Sequence, residues 1–85
     1  MFYVYCLNCI DDKERFYIGS TNDLRQRLEA HNTGRNRSTK NHRWQVVYYE
    51  AYVTESVARQ REQKLKQHGN TKQALMRRIK DSLAK

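Results

Sequence analysis

Three side chains of this 85-residue chain sit where an anion binder or a metal ligand could work. Arg27 and His31 are four positions apart, so on a helix they are surface neighbours flanking the apolar stripe of Leu24 and Leu28. An arginine suits a phosphate there, because its planar fork donates two hydrogen bonds and keeps its charge at any physiological pH. Glu62 falls one turn after Ala58 and just under a turn before Leu65, so a helix projects its carboxylate from the core-facing stripe. That position is costly unless the acid is paired or holds a metal ion. Plainer readings stand beside both: a solubilising helix face for Arg27 and His31, and an intrahelical ion pair of Glu62 with Arg59 or Lys66.

The elements that must position these groups follow from the pattern of apolar residues. Phe2 to Leu7 alternates Phe2, Val4 and Cys6 against Tyr3, Tyr5 and Leu7, which predicts a strand buried on one or both faces. The polar stretch 8–15 carries an Asp-Asp turn signal, and Phe16 to Ser20 returns to strand composition, completing a hairpin. Thr21, Asn22 and Asp23 offer capping side chains for a helix to about Asn32, with Gly34 as its stop. Residues 35–43 are basic and polar throughout and predict an exposed loop. A third strand follows over Gln45 to Val53. Thr54 caps a second helix to about His68, Gly69 and Asn70 interrupt it, and a last helix opens near Thr71 and carries Leu75, Met76, Ile79 and Leu83. The order ββαβαα predicts an α+β fold, a small, mainly antiparallel three-stranded sheet flanked by helices.

Length leaves room for one compact domain over residues 1–85, and no proline-rich or low-complexity linker divides it. The formal charge of +8 lowers the cost of approaching a polyphosphate and puts nucleic acid first among partner classes. No apolar run approaches the roughly 18–20 residues of a membrane span, and no basic segment leads into a long apolar core at the N-terminus. The expectation is a soluble, cytoplasmic protein without membrane contact, monomeric by default. Cys6 and Cys9 form a single C-x2-C, half of a zinc site, and His31, His42 and His68 are scattered along the chain. Packing as small buried thiols explains the cysteines better.

Two aromatic runs, Tyr3-Val4-Tyr5 and Tyr17-Ile18-Gly19, precede the helix of Arg27 and His31. Together with their spacing they resemble the signature of the GIY-YIG nuclease superfamily, with Tyr3 in place of the leading glycine and the second half intact. Arg27 stands where these nucleases carry their arginine, and His31 follows where several members have histidine or tyrosine. The segments Ser38-Thr39-Lys40-Asn41, Tyr48-Tyr49-Glu50-Ala51-Tyr52 and Ala58-Arg59-Gln60-Arg61-Glu62 are similar to the compact, single-domain bacterial branch, and the endonuclease domain of excision-repair incision subunits is a relative. The C-terminal asparagine of some members has no secure counterpart, and Asn70 reads as a loop or cap residue.

The resemblance implies a metal-dependent endonuclease that hydrolyses phosphodiester bonds, with DNA favoured over RNA. It implies Tyr5, Tyr17, Arg27, His31 and Glu62 as the catalytic set, with Glu62 holding Mg2+ or Mn2+ through oxygen. Arg27 stabilises charge on the scissile phosphate, a tyrosine, Tyr17 rather than Tyr5, acts as general base, and His31 assists that transfer. Arg35, Arg37, Lys40 and Arg43 in the basic loop are the expected phosphate contacts. The competing class is a basic nucleic-acid-binding module without catalysis. Such a module gains nothing from an inward acid at Glu62.

Overall fold

The computed structural model describes residues 1–34 and 42–83. The elements run β1 (Phe2–Cys9), β2 (Phe16–Thr21), α1 (Leu24–Asn32), β3 (Trp44–Tyr52), α2 (Glu55–Gln67) and α3 (Gly69–Leu83). The ββαβαα order and the α+β class are those expected from the apolar pattern. The sheet order is β2-β1-β3, and both neighbouring pairs are antiparallel.

A strand at the centre of a sheet with helices on both faces must be apolar on both sides, and β1 is. Val4 and Cys6 join Ile18 of β2 beneath Ala58, Leu65, Leu75 and Ile79 of α2 and α3. Tyr5, Leu7 and Cys9 point the other way, packing with Trp44 under Leu24 and Leu28 of α1. One helix therefore covers one face and two cover the opposite one. The ladder between β1 and β3 shifts between Cys6 and Leu7, where Cys6 pairs with Tyr48 and Leu7 with Val46. The extra residue, Val47, turns the strand so that Val47 and Tyr48 both pack on the α2–α3 side while Val46 packs under α1.

The two cysteines lie on opposite faces of β1, so Cys6 and Cys9 cannot share an ion. Both are buried free thiols. Burial pushes the Cys6 thiol up to about 12, against the pull of Lys72. They behave as core residues.

Polar side chains fix the connections. The buried Asn8 amide donates to the carbonyls of Lys13 and Arg15, at 3.0 and 3.1 Å, closing the link between β1 and β2. At the end of α1, the Asn32 amide donates to the Trp44 carbonyl (3.1 Å) and its oxygen accepts the Trp44 N–H (2.6 Å). This pair ties the last turn of α1 to the first residue of β3. Asp23 caps α1 by accepting the Gln26 N–H at 3.1 Å, and Gly34 supplies a φ of 78° just past its end.

Several boundaries differ from expectation, and β2 runs one residue further, to Thr21. β1 runs on to Cys9, because Asn8 and Cys9 still pair with Gln45 and Trp44 of β3. β3 begins at Trp44 and stops at Tyr52, one residue earlier at each end than the apolar run suggested. Gly69 and Asn70 do not interrupt the helices: α3 begins at Gly69, and the break is His68 alone, held extended at φ −101° and ψ 101°. Asn70 is thus a first-turn helical residue. Among the described residues no helix is long and apolar enough to cross a membrane.

Candidate active site

β2 is an edge strand, so α1 on one face and α2 on the other can both reach its open side. Tyr5 and Tyr17 face α1, and α1 returns His31 against them. The Tyr5 hydroxyl lies 2.9 Å from Nε2 of His31, and the Tyr17 ring meets the imidazole edge-to-face at 4.7 Å between centroids. Either partner of the Tyr5–His31 bond can donate, according to the imidazole tautomer. His31 is fully buried.

Gly19 is what lets the two tyrosines close on this edge. A Cβ there would fall 2.5 Å from the Tyr5 hydroxyl, 2.7 Å from Tyr5 Cζ and 3.1 Å from Tyr17 Cε1. Any side chain would displace the Tyr5 ring, so the glycine of Tyr17-Ile18-Gly19 serves close approach rather than an unusual backbone angle.

From the opposite face, α2 brings Glu62 to the neighbouring residue of β2. The Ser20 hydroxyl donates to Glu62 Oε1 at 2.5 Å, and Lys66 Nζ donates to Oε2 at 2.7 Å. Lys66 also stands 5.7 Å from the centroid of the Tyr17 ring, joining the two sides of the site round the strand edge. Beside Ser20 opens a cavity of about 210 Å³ whose walls include Phe2, Ser20, Thr21, Arg27, Glu55 and Arg59. Arg27 is exposed on its wall and has no ion-pair partner among the described residues.

The electrostatics separate the roles these groups can play. Burial pushes the Tyr5 phenol well above its ordinary value, and the nearby Tyr17 and Glu62 reinforce that against the opposing charge of Arg27. Tyr5 therefore stays protonated, a hydrogen-bonding and space-filling group. Burial, helped by the charge of Arg27, lowers His31 and keeps its imidazole neutral at pH 7, able to accept a proton. Burial works against ionisation of Glu62, but the bonds from Lys66 and Ser20, with the charges of Lys66 and Arg59, more than offset it and hold the carboxyl below its ordinary value. Glu62 is an anion bonded to the strand edge at Ser20.

All five residues expected from the sequence thus gather on one edge: Tyr5, Tyr17 and His31 in contact, Arg27 and Glu62 close enough for their charges to act on Tyr5. Of the expected phosphate contacts, Arg43 lies at the opposite end of β1, where its guanidinium meets Asp11 at 3.3 Å. Arg35, Arg37 and Lys40 lie outside the described residues. Lys66 is the ion-pair partner of Glu62, whereas Arg59 pairs with Glu55 instead, at 2.9 Å. Ser20 was not anticipated, though it directly follows the second aromatic run.

A family model, the GIY-YIG catalytic domain, matches residues 1–78. The chain belongs to the GIY-YIG family. A UPF0213 protein of Oceanobacillus iheyensis is 37% identical over 67 residues, covering 76% of each chain. A UPF0213 protein of Streptococcus pyogenes serotype M3 is 33% identical over 75 residues, 86% of this chain and 79% of the relative. Another from Haloquadratum walsbyi is 35% identical over 72 residues, 82% and 79% of the two chains. No solved structure matches. The GIY-YIG domain is a nuclease domain that acts on nucleic acid, and the match takes in β1 through most of α3.

Proposed function

We propose that this chain is a metal-dependent endonuclease hydrolysing phosphodiester bonds, with DNA favoured over RNA, at the β2 edge. The reading rests on one observation above all: an ionised carboxylate, an arginine with no ion-pair partner among the described residues and a tyrosine–histidine cluster gather at the β2 edge from β1, β2, α1 and α2. A binding surface has no need of the acid.

The donor set fits a hard divalent cation. Mg2+ and Mn2+ take oxygen ligands, commonly one or two carboxylates with water completing the shell. Glu62 would hold the ion through its carboxylate, with the Ser20 hydroxyl beside it. When bound, such an ion polarises a phosphoryl oxygen and offsets the charge that builds on the leaving group.

The chain's own residues do the rest. Arg27 presents its fork to the scissile phosphate, where charge accumulates in the transition state. Tyr17 accepts the proton of the attacking water on its phenol oxygen as its own phenol proton passes to solvent, and the neutral His31 against its ring positions it for that transfer. Tyr5 stays protonated and holds His31 in place through their hydrogen bond. Arg35, Arg37 and Lys40 of the basic loop contact flanking phosphates, whereas Arg43, paired with Asp11 at the far end of β1, is left out of that set.

The test is incubation of purified protein with labelled single-stranded, duplex, flap and junction DNA and RNA, in Mg2+, Mn2+ or chelator. Cut products in metal and none in chelator support the proposal. Binding without products in either metal would leave a basic binding module.

A further inference from the structure

The chain has six tyrosines, and four of them are accounted for by their surroundings. Tyr5 bonds to His31, Tyr17 packs on the same ring, and the hydroxyls of Tyr48 and Tyr52 both donate to Glu50. Tyr3 and Tyr49 remain. Among the described residues neither has a hydrogen-bond partner for its hydroxyl. They are each other's neighbours, edge-to-face at 6.0 Å with 67° between their planes. Tyr49 is 57% exposed although it lies in the middle of β3.

Their placement is not random with respect to the site. Tyr49 is the cross-strand partner of Tyr5, and Tyr3 lies two residues before Tyr5 on the same strand, so all three share the face that α1 partly covers. Helix α1 sits over Leu7, Cys9 and Trp44 and leaves Tyr3, Tyr49 and the exposed Ala51 open. From β2, where the site lies, to β3 is two strand spacings, about 10 Å. A polynucleotide passing the β2 edge reaches the aromatic pair within a few nucleotides.

A cross-strand aromatic pair can exist simply to stabilise the sheet. Such a pair does not need an open ring face, however, and an edge-to-face arrangement always leaves at least one. On a chain of charge +8, an open phenol face beside a phosphate site matches the recipe of single-strand recognition, aromatic stacking next to backbone contact. A base inside a duplex has both faces occupied by its neighbours and cannot stack on a protruding ring.

We propose that Tyr3 and Tyr49 form a stacking platform for an unpaired nucleobase of the strand bound at the β2 edge, which makes single-stranded or locally unpaired nucleic acid the substrate class. This inference rests on the nuclease reading for the position of the strand. It is tested separately from cleavage, by binding in chelator.

The experiment titrates the intact protein, with EDTA present, against a single-stranded oligonucleotide carrying 2-aminopurine and against the same sequence as a blunt duplex. Tyr49→Ala is expected to weaken single-strand binding by about 5- to 150-fold and abolish the 2-aminopurine quenching that stacking produces, with duplex binding changed less than about twofold. Tyr49→Phe, which keeps the ring, should bind as the parent does, and Tyr49→Trp should bind more tightly. A thermal melt of each variant checks the fold. Should Tyr49→Ala lower the fold's stability too far to measure, the Phe and Trp variants carry the test alone: single-strand affinity ranked Trp above Tyr and Phe supports the platform, and a flat series overturns it. Unchanged single-strand affinity in a folded Tyr49→Ala, or equal losses on single strand and duplex, also overturns it. A protein that stacks bases through Tyr49 yet never cuts would defeat the nuclease reading and leave the platform standing. One that cuts normally while Tyr49→Ala binds normally would do the reverse.

Discussion

Two half-buried carboxylates face the same side of the sheet, and their partners set them apart. Glu50, two residues from the end of β3, receives both arms of the Arg61 fork, Nε at 2.8 Å and Nη2 at 2.9 Å, together with the hydroxyls of Tyr48 and Tyr52. Burial alone would raise this acid, but Arg61 and the two phenols bring it down to about 2. Glu62 has one hydroxyl and one ammonium. The side chain of its partner Lys66 is 46% exposed, against 30% for Arg61. A planar bidentate fork inside a ring of hydroxyls is hard to replace, whereas a single ammonium on a flexible stem exchanges readily for another cation. Glu50 fastens α2 to β3. Glu62, one residue along α2 from Arg61, has the looser set of partners.

The sharpest way to break that distinction is to remove each negative charge in turn. Glu62→Gln should eliminate cleavage in Mg2+ while the melting temperature stays close to that of the parent. Glu50→Gln should leave detectable cleavage but destabilise the fold by about 1–3 kcal/mol, because Arg61 loses its partner in a partly buried site. Cleavage by Glu62→Gln at the parent rate would remove it from the site.

The tyrosines around the two acids extend the contrast. Tyr17→Phe keeps the ring against His31 and deletes only the oxygen, so it should slow cleavage by about 10²–10⁴-fold with binding intact. Tyr5→Phe should be milder, since that phenol is held protonated by burial. Tyr48→Phe and Tyr52→Phe each remove one charge-assisted hydrogen bond from Glu50 and should cost about 1.5–3 kcal/mol of stability with no change in the chemical step. Parent-like rates for Tyr5→Phe, Tyr17→Phe and the double variant would leave no tyrosine base.

Acid titration probes the same pair without mutation. Glu50 has an ordinary value of 4.5 and a folded value of about 2. Its contribution to stability is therefore complete above about pH 5 and is lost as the pH falls through the folded value. Denaturant midpoints measured from pH 6 to pH 2 should fall less steeply in Glu50→Gln than in the parent. An equally steep fall would place the acid-sensitive group elsewhere.

The smallest effect belongs to Lys66. If its ammonium competes with a divalent ion for Glu62, Lys66→Met should tighten Mn2+ binding by up to about fivefold, the equivalent of an exposed ion pair. Loss of the free-Mn2+ electron paramagnetic resonance signal on titration reads this directly. Weaker binding would mean that Lys66 supports the ion rather than competing with it.

Much of the site was legible because it is built from local spacing. Arg27 and His31 on one helix surface, Glu62 within the stripe of Ala58 and Leu65, and two tyrosine-bearing strands in a hairpin all follow from periodicities of 3.6 and 2. The Glu50 cluster also left a local trace, since Tyr48, Glu50 and Tyr52 alternate onto one face of β3. Its partner did not: Arg61 is brought to it only when α2 folds back across the sheet. Asn32 and Trp44 were similarly opaque, because their paired bonds span the segment between α1 and β3. The interruption expected at Gly69 failed for a related reason. Packing of Leu75 and Ile79 into the core holds α3 in place, and helix propensity at an exposed terminus is too weak to oppose it.

The sequence by itself determined the element order and the two-sided apolar character of β1, because each depends on residues within a few turns of one another, and it supplied the residues proposed for the site. Tertiary structure decided that β2 lies at the edge, so that α1 and α2 meet there from opposite faces. It also decided that Gly19 makes room for Tyr5, that Lys66 rather than Arg59 balances Glu62, and that Tyr3 and Tyr49 remain open beside them. Those contacts join residues far apart in the chain, and only packing in three dimensions selects among the pairings that local pattern leaves equal.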